Sequence, residues 1–403
     1  MARATITAPT AQNQPAITPM SRSVTLLFAV ACGLSVANAY YAQPLLDTMA
    51  TQFAIDKAEI GLVITITQIG YGLGLLLLVP LGDMLNRRRL ILGQSLLSVV
   101  ALLGVAAAPN ATALLIAMGL VGLLAVVAQI VVAYAASLAR PEERGAVVGT
   151  VTSGIIIGIL LARSVSGALA DLWGWRAVYL ASAAATLLVV AALARVLPSD
   201  EPRRCAISYR DLIASLFTLL REEPLLRRRA ILALLIFTAM TLLWTPMVLP
   251  LSAPPFFLSH TQVGLFGLAG AMGAVGAASA GRLSDRGHAR TVSGVALAVM
   301  LLSWPVVALL PVSLWGLILG VITMDFGLQA VHVANQSLIY RLRPEARSRL
   351  AAAYMIFYSI GSATGSLLST MIYARLGWTG VCVAGAAISA VALAFSLLTR
   401  RGD

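Results

Sequence analysis

The chain writes one short phrase twice, half its length apart. Residues 79–89 read V-P-L-G-D-M-L-N-R-R-R and residues 281–290 read G-R-L-S-D-R-G-H-A-R, so that Asp83 and Asp285 stand 202 positions apart. R-P-E-E-R at Arg140–Arg144 returns as R-P-E-A-R at Arg343–Arg347, and G-W-R at Gly174–Arg176 returns as G-W-T at Gly377–Thr379, both at an offset of 203. Three matches at nearly one spacing imply a duplicated half. Whatever the chain folds into is built from two copies of one unit.

The solvent of that unit follows from composition. Hydrophobic residues make up 59% of the 403 and charged residues 11%, against roughly 25% charged in soluble domains. Too little charge is present to cover a water-facing surface. Apolar runs of about 20 residues, the length that crosses a bilayer, fall at 23–44, 59–81, 89–108, 112–138, 146–170 and 176–197. A second set falls at 230–250, 261–281, 291–310, 313–339, 350–373 and 378–399. The expected fold is an all-α integral membrane protein of twelve transmembrane helices in two six-helix repeats. Residues 1–22 read as a disordered tail, 23–197 and 230–399 as the two bundles, and 198–229 as a polar linker between them.

A net charge of +12 suggests nucleic acid, but the placement of the charge argues against it. Lys57 is the only lysine, and the arginines occupy alternate gaps between apolar runs: 87–89, 140–144, 203–229, 282–290 and 341–349, with both ends of the chain. Basic residues concentrate in cytoplasmic loops. The expected topology therefore puts both termini in the cytoplasm of a bacterial inner membrane, with residues 56 and 260 outside. The three cysteines and three histidines are scattered and give no metal spacing. No nucleotide-binding glycine loop occurs. The expected cofactor set is empty, and the expected partners are the lipid bilayer, a small-molecule substrate and protons, with the chain acting as a monomer.

With those motifs placed, the chain resembles a major facilitator superfamily transporter over about residues 23–399. The family's loop signature between spans two and three is G-x-L-S-D-R-x-G-R-R. Leu81, Asp83, Arg87 and Arg88 match it in the first copy; Gly281, Leu283, Ser284, Asp285, Arg286 and Arg290 match it in the second. Val79, Met84 and Asn86 depart from it. The resemblance implies that Asp83, Arg87, Arg88, Asp285 and Arg286 gate the cytoplasmic face. It also brings the drug:proton antiporter branch to mind. That branch's fifth-span motif G-x-x-x-G-P-x-x-G-G is degenerate here, with Ala162-Arg163 where Gly-Pro would fall and Gly167 retained.

Polar residues inside spans face the bundle interior or water rather than lipid. Asp325, Gln329, His332 and Gln336 recur at i, i+4, i+7 and i+11 and form one stripe on the tenth span. Asp325 is the acid and Arg163 the base that lie well inside spans, at similar depth. Arg163 has three candidate partners: Asp325, backbone carbonyls with water, or a substrate anion. Gln129 holds the repeat position of His332. Asn38 and Tyr41 share a face of the first span, Thr241 lies on the seventh, and Tyr354 and Tyr358 lie at i, i+4 on the eleventh. These are the expected cavity residues. A buried carboxyl favours its protonated form, which makes Asp325 the expected proton carrier. No nucleophile–base pair or carboxylate pair marks an enzyme. The expected function is proton-coupled efflux of small organic molecules by alternating access. Uptake of a sugar or organic acid by a symporter or facilitator, and a sensor on a transporter fold, are the alternatives.

Overall fold

The structure is a computed structural model and describes residues 21–140, 142–198, 208–343 and 346–399, apart from the side chain of Asp285. Most of the predicted tail, and residues 199–207 of the predicted linker, lie outside the described residues.

Every described element is helical. An apolar medium offers backbone groups no partner, so each span satisfies its own as a helix. The first half comprises α1 (Arg22–Ala37), α2 (Leu46–Phe53), α3 (Leu62–Met84), α4 (Arg87–Ala106), α5 (Ala111–Leu138), α6 (Arg144–Trp173) and α7 (Trp175–Val196). The linker carries α8 (Tyr209–Glu222), N-capped by Ser208, which accepts from the Asp211 amide at 3.2 Å. The second half comprises α9 (Pro224–Ser252), α10 (His260–Leu283), α11 (Ala289–Val307), α12 (Leu314–Ile339) and α13 (Arg347–Thr399). Ends are sealed by side-chain caps: Asn110 takes the Ala113 amide at 2.9 Å and Ser313 the Gly316 amide at 3.3 Å.

Two of these elements need the repeat to be understood. α13 is two spans joined at Gly377, whose φ of +63° breaks the helix, just as Gly174 at +82° separates α6 from α7. Positive φ is a conformation glycine adopts without steric cost, so the repeated G-W pair marks one turn twice. The tryptophan that follows is buried in both copies. Trp175 donates to the Gln52 side chain at 2.5 Å and Trp378 to the Val307 carbonyl at 3.1 Å. The first span, expected to be continuous over 23–44, is instead α1 and α2 separated by turns at Asn38–Leu45. Irregular backbone at membrane depth is tolerated where protein buries it, and Asn38, Tyr40, Tyr41 and Gln43 are all buried. With α1 and α2 as one broken span and α13 as two, the spans number twelve.

Helix pairing is the same in each half. α1 packs on α6, α3 on α5 and α4 on α7; α9 packs on the first arm of α13, α10 on α12 and α11 on the second arm. Small residues let these backbones approach, as membrane helices require: Gly33 meets Gly154 and Gly158, Gly122 meets Thr67, Gly276 meets Phe326, and Gly361 meets Leu234. Between the halves, α3 faces α13 and α6 faces α10. The contacts that join them lie at the end of the molecule opposite the termini. Thr65 and Ser366 hydroxyls donate to the Ala363 and Gly61 carbonyls at 3.2 and 3.1 Å, Thr370 donates to Ala58 at 2.9 Å, and Ser359 donates to Gln68. Toward the terminus face α6 is open, with no buried residue between Thr152 and Leu161. Among the described residues, the halves are closed against each other at the face opposite the termini, and α6 opens toward the other.

Candidate functional site

The break in the first span turns its last polar residues toward the second half. Gln43 reaches Arg163 on α6, whose Nε donates to Gln43 Oε1 at 2.5 Å. The guanidinium carbon lies over the Trp244 indole of α9, 3.8 Å from the ring centroid, and 5.3 Å from that of Tyr40. Trp244 donates its indole N–H to Asp325 Oδ1 on α12 at 3.1 Å. Arg163 and Asp325 are thus joined through a tryptophan: the cation on its face, the carboxylate at its N–H. Arg163, Trp244 and Asp325 are 5%, 3% and 8% exposed. A guanidinium over an aromatic face gains about 2 kcal/mol when desolvated, which partly offsets burial of the charge. Among the described residues Arg163 and Asp325 make no direct ion pair; Trp244 contacts both. The glycines of α10 give the pair room: Gly267 lies against the Arg163 side chain and Gly270 against Asp325 Oδ2.

An aromatic column continues from this centre toward the terminus face. Tyr40 and Tyr358 share a hydroxyl hydrogen bond of 2.7 Å, and Phe237 meets Tyr358 edge-on at 4.1 Å between centroids. Phe237 also meets His332 at 5.3 Å, and His332 Nδ1 stands 3.0 Å from the Tyr354 hydroxyl. Asn335 donates to the same hydroxyl at 3.4 Å. From the first half, Tyr71 packs on Tyr358, and Gln129 donates to the Tyr71 hydroxyl at 3.5 Å. Gln129, Gln329, His332 and Gln336 are half-buried. Gln329 and Gln336 make no side-chain hydrogen bond among the described residues, so their amides are available to a ligand.

The structure thus brings together Arg163, Asp325, Gln129, His332, Tyr354 and Tyr358 of the expected set, with Gln329 and Gln336 on the same stripe. Three others lie apart. The Asn38 side chain accepts from Ser182 of α7 at 2.6 Å, and Tyr41 is buried beside Ser182. Thr241 donates back to the Phe237 carbonyl at 2.9 Å and packs on Gly365. Four residues absent from that set complete the site: Tyr40, Gln43, Phe237 and Trp244. The last two stand at i and i+7 of α9, one face of a helix, and that spacing is the signal in the sequence.

Among the described residues, the assigned bonds of Asp83, Arg87 and Arg88 lie within the first half. Asp83 pairs with Arg87 at 3.2 Å, and Arg87 also donates to the Gly82 carbonyl at 2.8 Å and to Ser137 at 3.1 Å. Arg88 donates to Ala194 at 2.7 Å. The Asp285 side chain lies outside the described residues; Arg286 is exposed, and Arg341 donates to the Ser284 carbonyl at 3.2 Å. A separate cleft of about 330 Å³ sits on the terminus face among Thr218, Glu222, Arg343 and Arg349. It belongs to the surface ion-pair cluster of α8 and not to the centre.

Comparison with known proteins accounts for the architecture. The family model described as "Major Facilitator Superfamily" matches residues 27–342 and again 258–403. An Escherichia coli K12 protein described as "Putative uncharacterized transporter YgaY" is 45% identical over 374 residues, covering 93% of this chain and 95% of its own length. The "Probable transporter SCO4007" of Streptomyces coelicolor is 32% identical over 384 residues, covering 94% and 89%. Among solved structures, a bacterial homologue of the human lysosomal transporter Spinster, inward-facing and unoccupied, superposes with a TM-score of 0.77. It is 17% identical and covers 94% of this chain and 97% of its own.

Proposed function

The chain belongs to the Major Facilitator Superfamily of membrane transporters, and on that footing we propose that it is a proton-coupled secondary transporter that exports small organic molecules by alternating access. The observation that carries the proposal is Asp325: a carboxylate at mid-span depth, 8% exposed, held by a neutral N–H and not by a salt bridge. A carboxyl so placed is free to change protonation without first breaking an ion pair. Arg163 lies close enough to answer that change electrostatically, through Trp244. Substrate is held in the column of Tyr71, Phe237, Tyr354 and Tyr358 by aromatic contact, with the amides of Gln129, Gln329 and Gln336 supplying direction; small-molecule sites combine these two kinds of group.

The arginine-rich loops support a cytoplasmic terminus face, which makes this conformation inward-facing, in a bacterial inner membrane. In the charged loop at Asp83–Arg88, Asp83 pairs with Arg87 of its own half. The test is a substrate-accumulation screen in everted inner-membrane vesicles, with and without a protonophore. The expected outcome is accumulation of one or more compounds that collapses with the gradient and is lost in Asp325→Asn, while downhill exchange persists. Accumulation in Asp325→Asn at the wild-type level would overturn the proton assignment. The amides free for hydrogen bonding favour a second reading, uptake of an uncharged hydroxylated solute. In that case right-side-out vesicles accumulate substrate and everted ones do not.

A further inference from the structure

The bonds across the closed face are of two kinds. Along α3 and α13 they are single hydroxyl-to-carbonyl contacts. Between α6 and α10 one carboxylate gathers several donors. Asp171, in the last turn of α6, accepts from the His260 amide at 3.1 Å, the Thr261 amide at 2.7 Å and the Thr261 hydroxyl at 2.6 Å, and meets His260 Nδ1 at 2.7 Å. His260 Nε2 stands 2.7 Å from the Thr48 hydroxyl of α2. A neutral imidazole protonated on Nδ1 satisfies both contacts, donating to Asp171 and accepting from Thr48. The first turn of α10, in the second half, is gripped by two helices of the first.

The chemistry of this grip is strong and local. A carboxylate at a helix N-terminus faces the positive end of the macrodipole, and its hydrogen bonds are charge-assisted. Gly167, one turn earlier on α6, lies against the His260 backbone, so the helices meet without intervening side chains. The grip is also separable from the helix it holds. Ser259 and Gln262 cap α10 reciprocally, the amide of Gln262 donating to Ser259 Oγ at 3.3 Å and that of Ser259 to Gln262 Oε1 at 2.9 Å. If Asp171 withdraws, that cap remains. The two amides released lie where side chains are already 27–28% exposed, and water takes them.

We propose that Asp171, with His260 and Thr48, is the latch of the closed face: its bonds set how much of the population holds this face shut. This rests on the reading that the halves rock about the central site. It gives each face its own aspartate, Asp83 at one and Asp171 at the other.

The test uses the full-length protein in nanodiscs, with Cys32, Cys205 and Cys382 replaced by alanine. Ser362→Cys reports opening of the closed face, because Ser362 is fully buried and lies within one helical turn of Ser359 and Ser366, whose hydroxyls bond across the α3–α13 seam. Ser303→Cys, buried inside the second half, reports general loosening. Asp171→Asn is expected to raise maleimide labelling at 362 about tenfold, the effect of losing one charge-assisted bond, with labelling at 303 unchanged. Unchanged labelling at 362, or a parallel rise at both positions, would overturn the latch. Gly61→Trp separates this from failure of the underlying reading, since any side chain there runs into Ser366 and Thr370 and must pry the face open. Exposure of 362 by Gly61→Trp but not by Asp171→Asn rejects the latch alone. Exposure by neither rejects rocking of the halves.

Discussion

The two faces of the molecule solve opposite problems with the same helices. At the closed face the halves meet through glycine, serine and threonine: Gly61 at the N-cap of α3, with Thr65 and Gly72 on it, against Ser359, Ala363, Ser366 and Thr370 on α13. At the terminus face, assigned arginine bonds either stay inside one half, as those of Arg87 to Gly82 and Ser137 and of Arg341 to Ser284 do, or reach the end of the linker, as those of Arg343 to Glu222 and Glu223 do. The difference teaches how a packed interface is kept reversible. A seam of interlocking leucines would strand apolar surface when opened. Here Thr65 already donates to its own helix, to the Gly61 carbonyl at 2.9 Å, as well as across the seam at 3.2 Å. Separation costs such a hydroxyl little, because its local bond persists. Among the described residues, the charge-assisted bonds across this face lie in the grip of Asp171 on α10.

The comparison breaks most severely at Gly167. A Cβ there runs into the His260 backbone, whereas one at Gly149, on the parted stretch of the same helix, meets nothing within 4 Å. Overpacking costs about 1–3 kcal/mol. Gly167→Leu is therefore expected to reduce transport by about tenfold or more, with Gly149→Leu near wild type. Comparable losses in the two variants, measured as initial rates in vesicles of matched protein content, would mean that the faces do not differ as described.

Much of this organisation was legible in the sequence, for reasons that can be named. Gly174 and Gly377 announce themselves because a turn with positive φ tolerates little else, and arginine placement orders the loops. The stripe of Asp325, Gln329, His332 and Gln336 follows from helical period alone. What was hidden depends on tertiary placement. Sequence gives Arg163 and Asp325 a similar depth but no azimuth, so it could not reveal that Trp244, from a third helix, stands between them. Pro44 is visible, yet the first span leaves its helix at Asn38, where neighbouring helices bury the irregular backbone. Thr241 reads as a cavity hydroxyl, but in a helix threonine can bond the carbonyl four residues back, and it does. Asp171 and His260 stand 89 positions apart in sequence, and only packing across the halves joins them.

At the centre between the faces, Trp244→Phe keeps a ring under Arg163 but removes the N–H that Asp325 accepts. Losing a hydrogen bond to a buried charged group costs about 1.5–3 kcal/mol. The expected result is a lower thermal midpoint in detergent, partly recovered in Trp244→Phe/Asp325→Asn, where the stranded carboxylate is gone. Strictly additive losses would mean that the indole does not couple to Asp325.

Asp83→Asn sharpens the contrast from the parted side. Among the described residues Asp83 pairs with Arg87, four residues on, and its side chain is 51% exposed. An i,i+4 pair with a half-exposed carboxylate is worth about 0.5 kcal/mol, and Arg87, though buried, keeps its bonds to Gly82 and Ser137. Unfolding should hardly change, while transport falls because closure of the terminus face loses its aspartate. A large stability loss would show that the charge is structural. The smallest effect is expected at Arg343→Ala, which frees the surface carboxylates Glu222 and Glu223 from bonds of 2.9 and 2.7 Å. Wild-type abundance and transport are expected, and a transport defect at normal abundance would make α8 a working strap between the halves.

That the faces alternate is tested most directly by pulsed electron paramagnetic resonance in lipid bilayers, with one spin-label pair on each. Asp56→Cys with Arg375→Cys spans the closed face, and Arg144→Cys with Arg347→Cys, equivalent positions in the repeat, spans the parted one; all four residues are exposed. The expected wild-type result is a mainly short distance for the first pair and a mainly long one for the second, each with a minor population of the opposite sense. Gly167→Leu should lengthen the first and shorten the second. Distances that ignore Gly167→Leu, or that lengthen together at both faces, would contradict it.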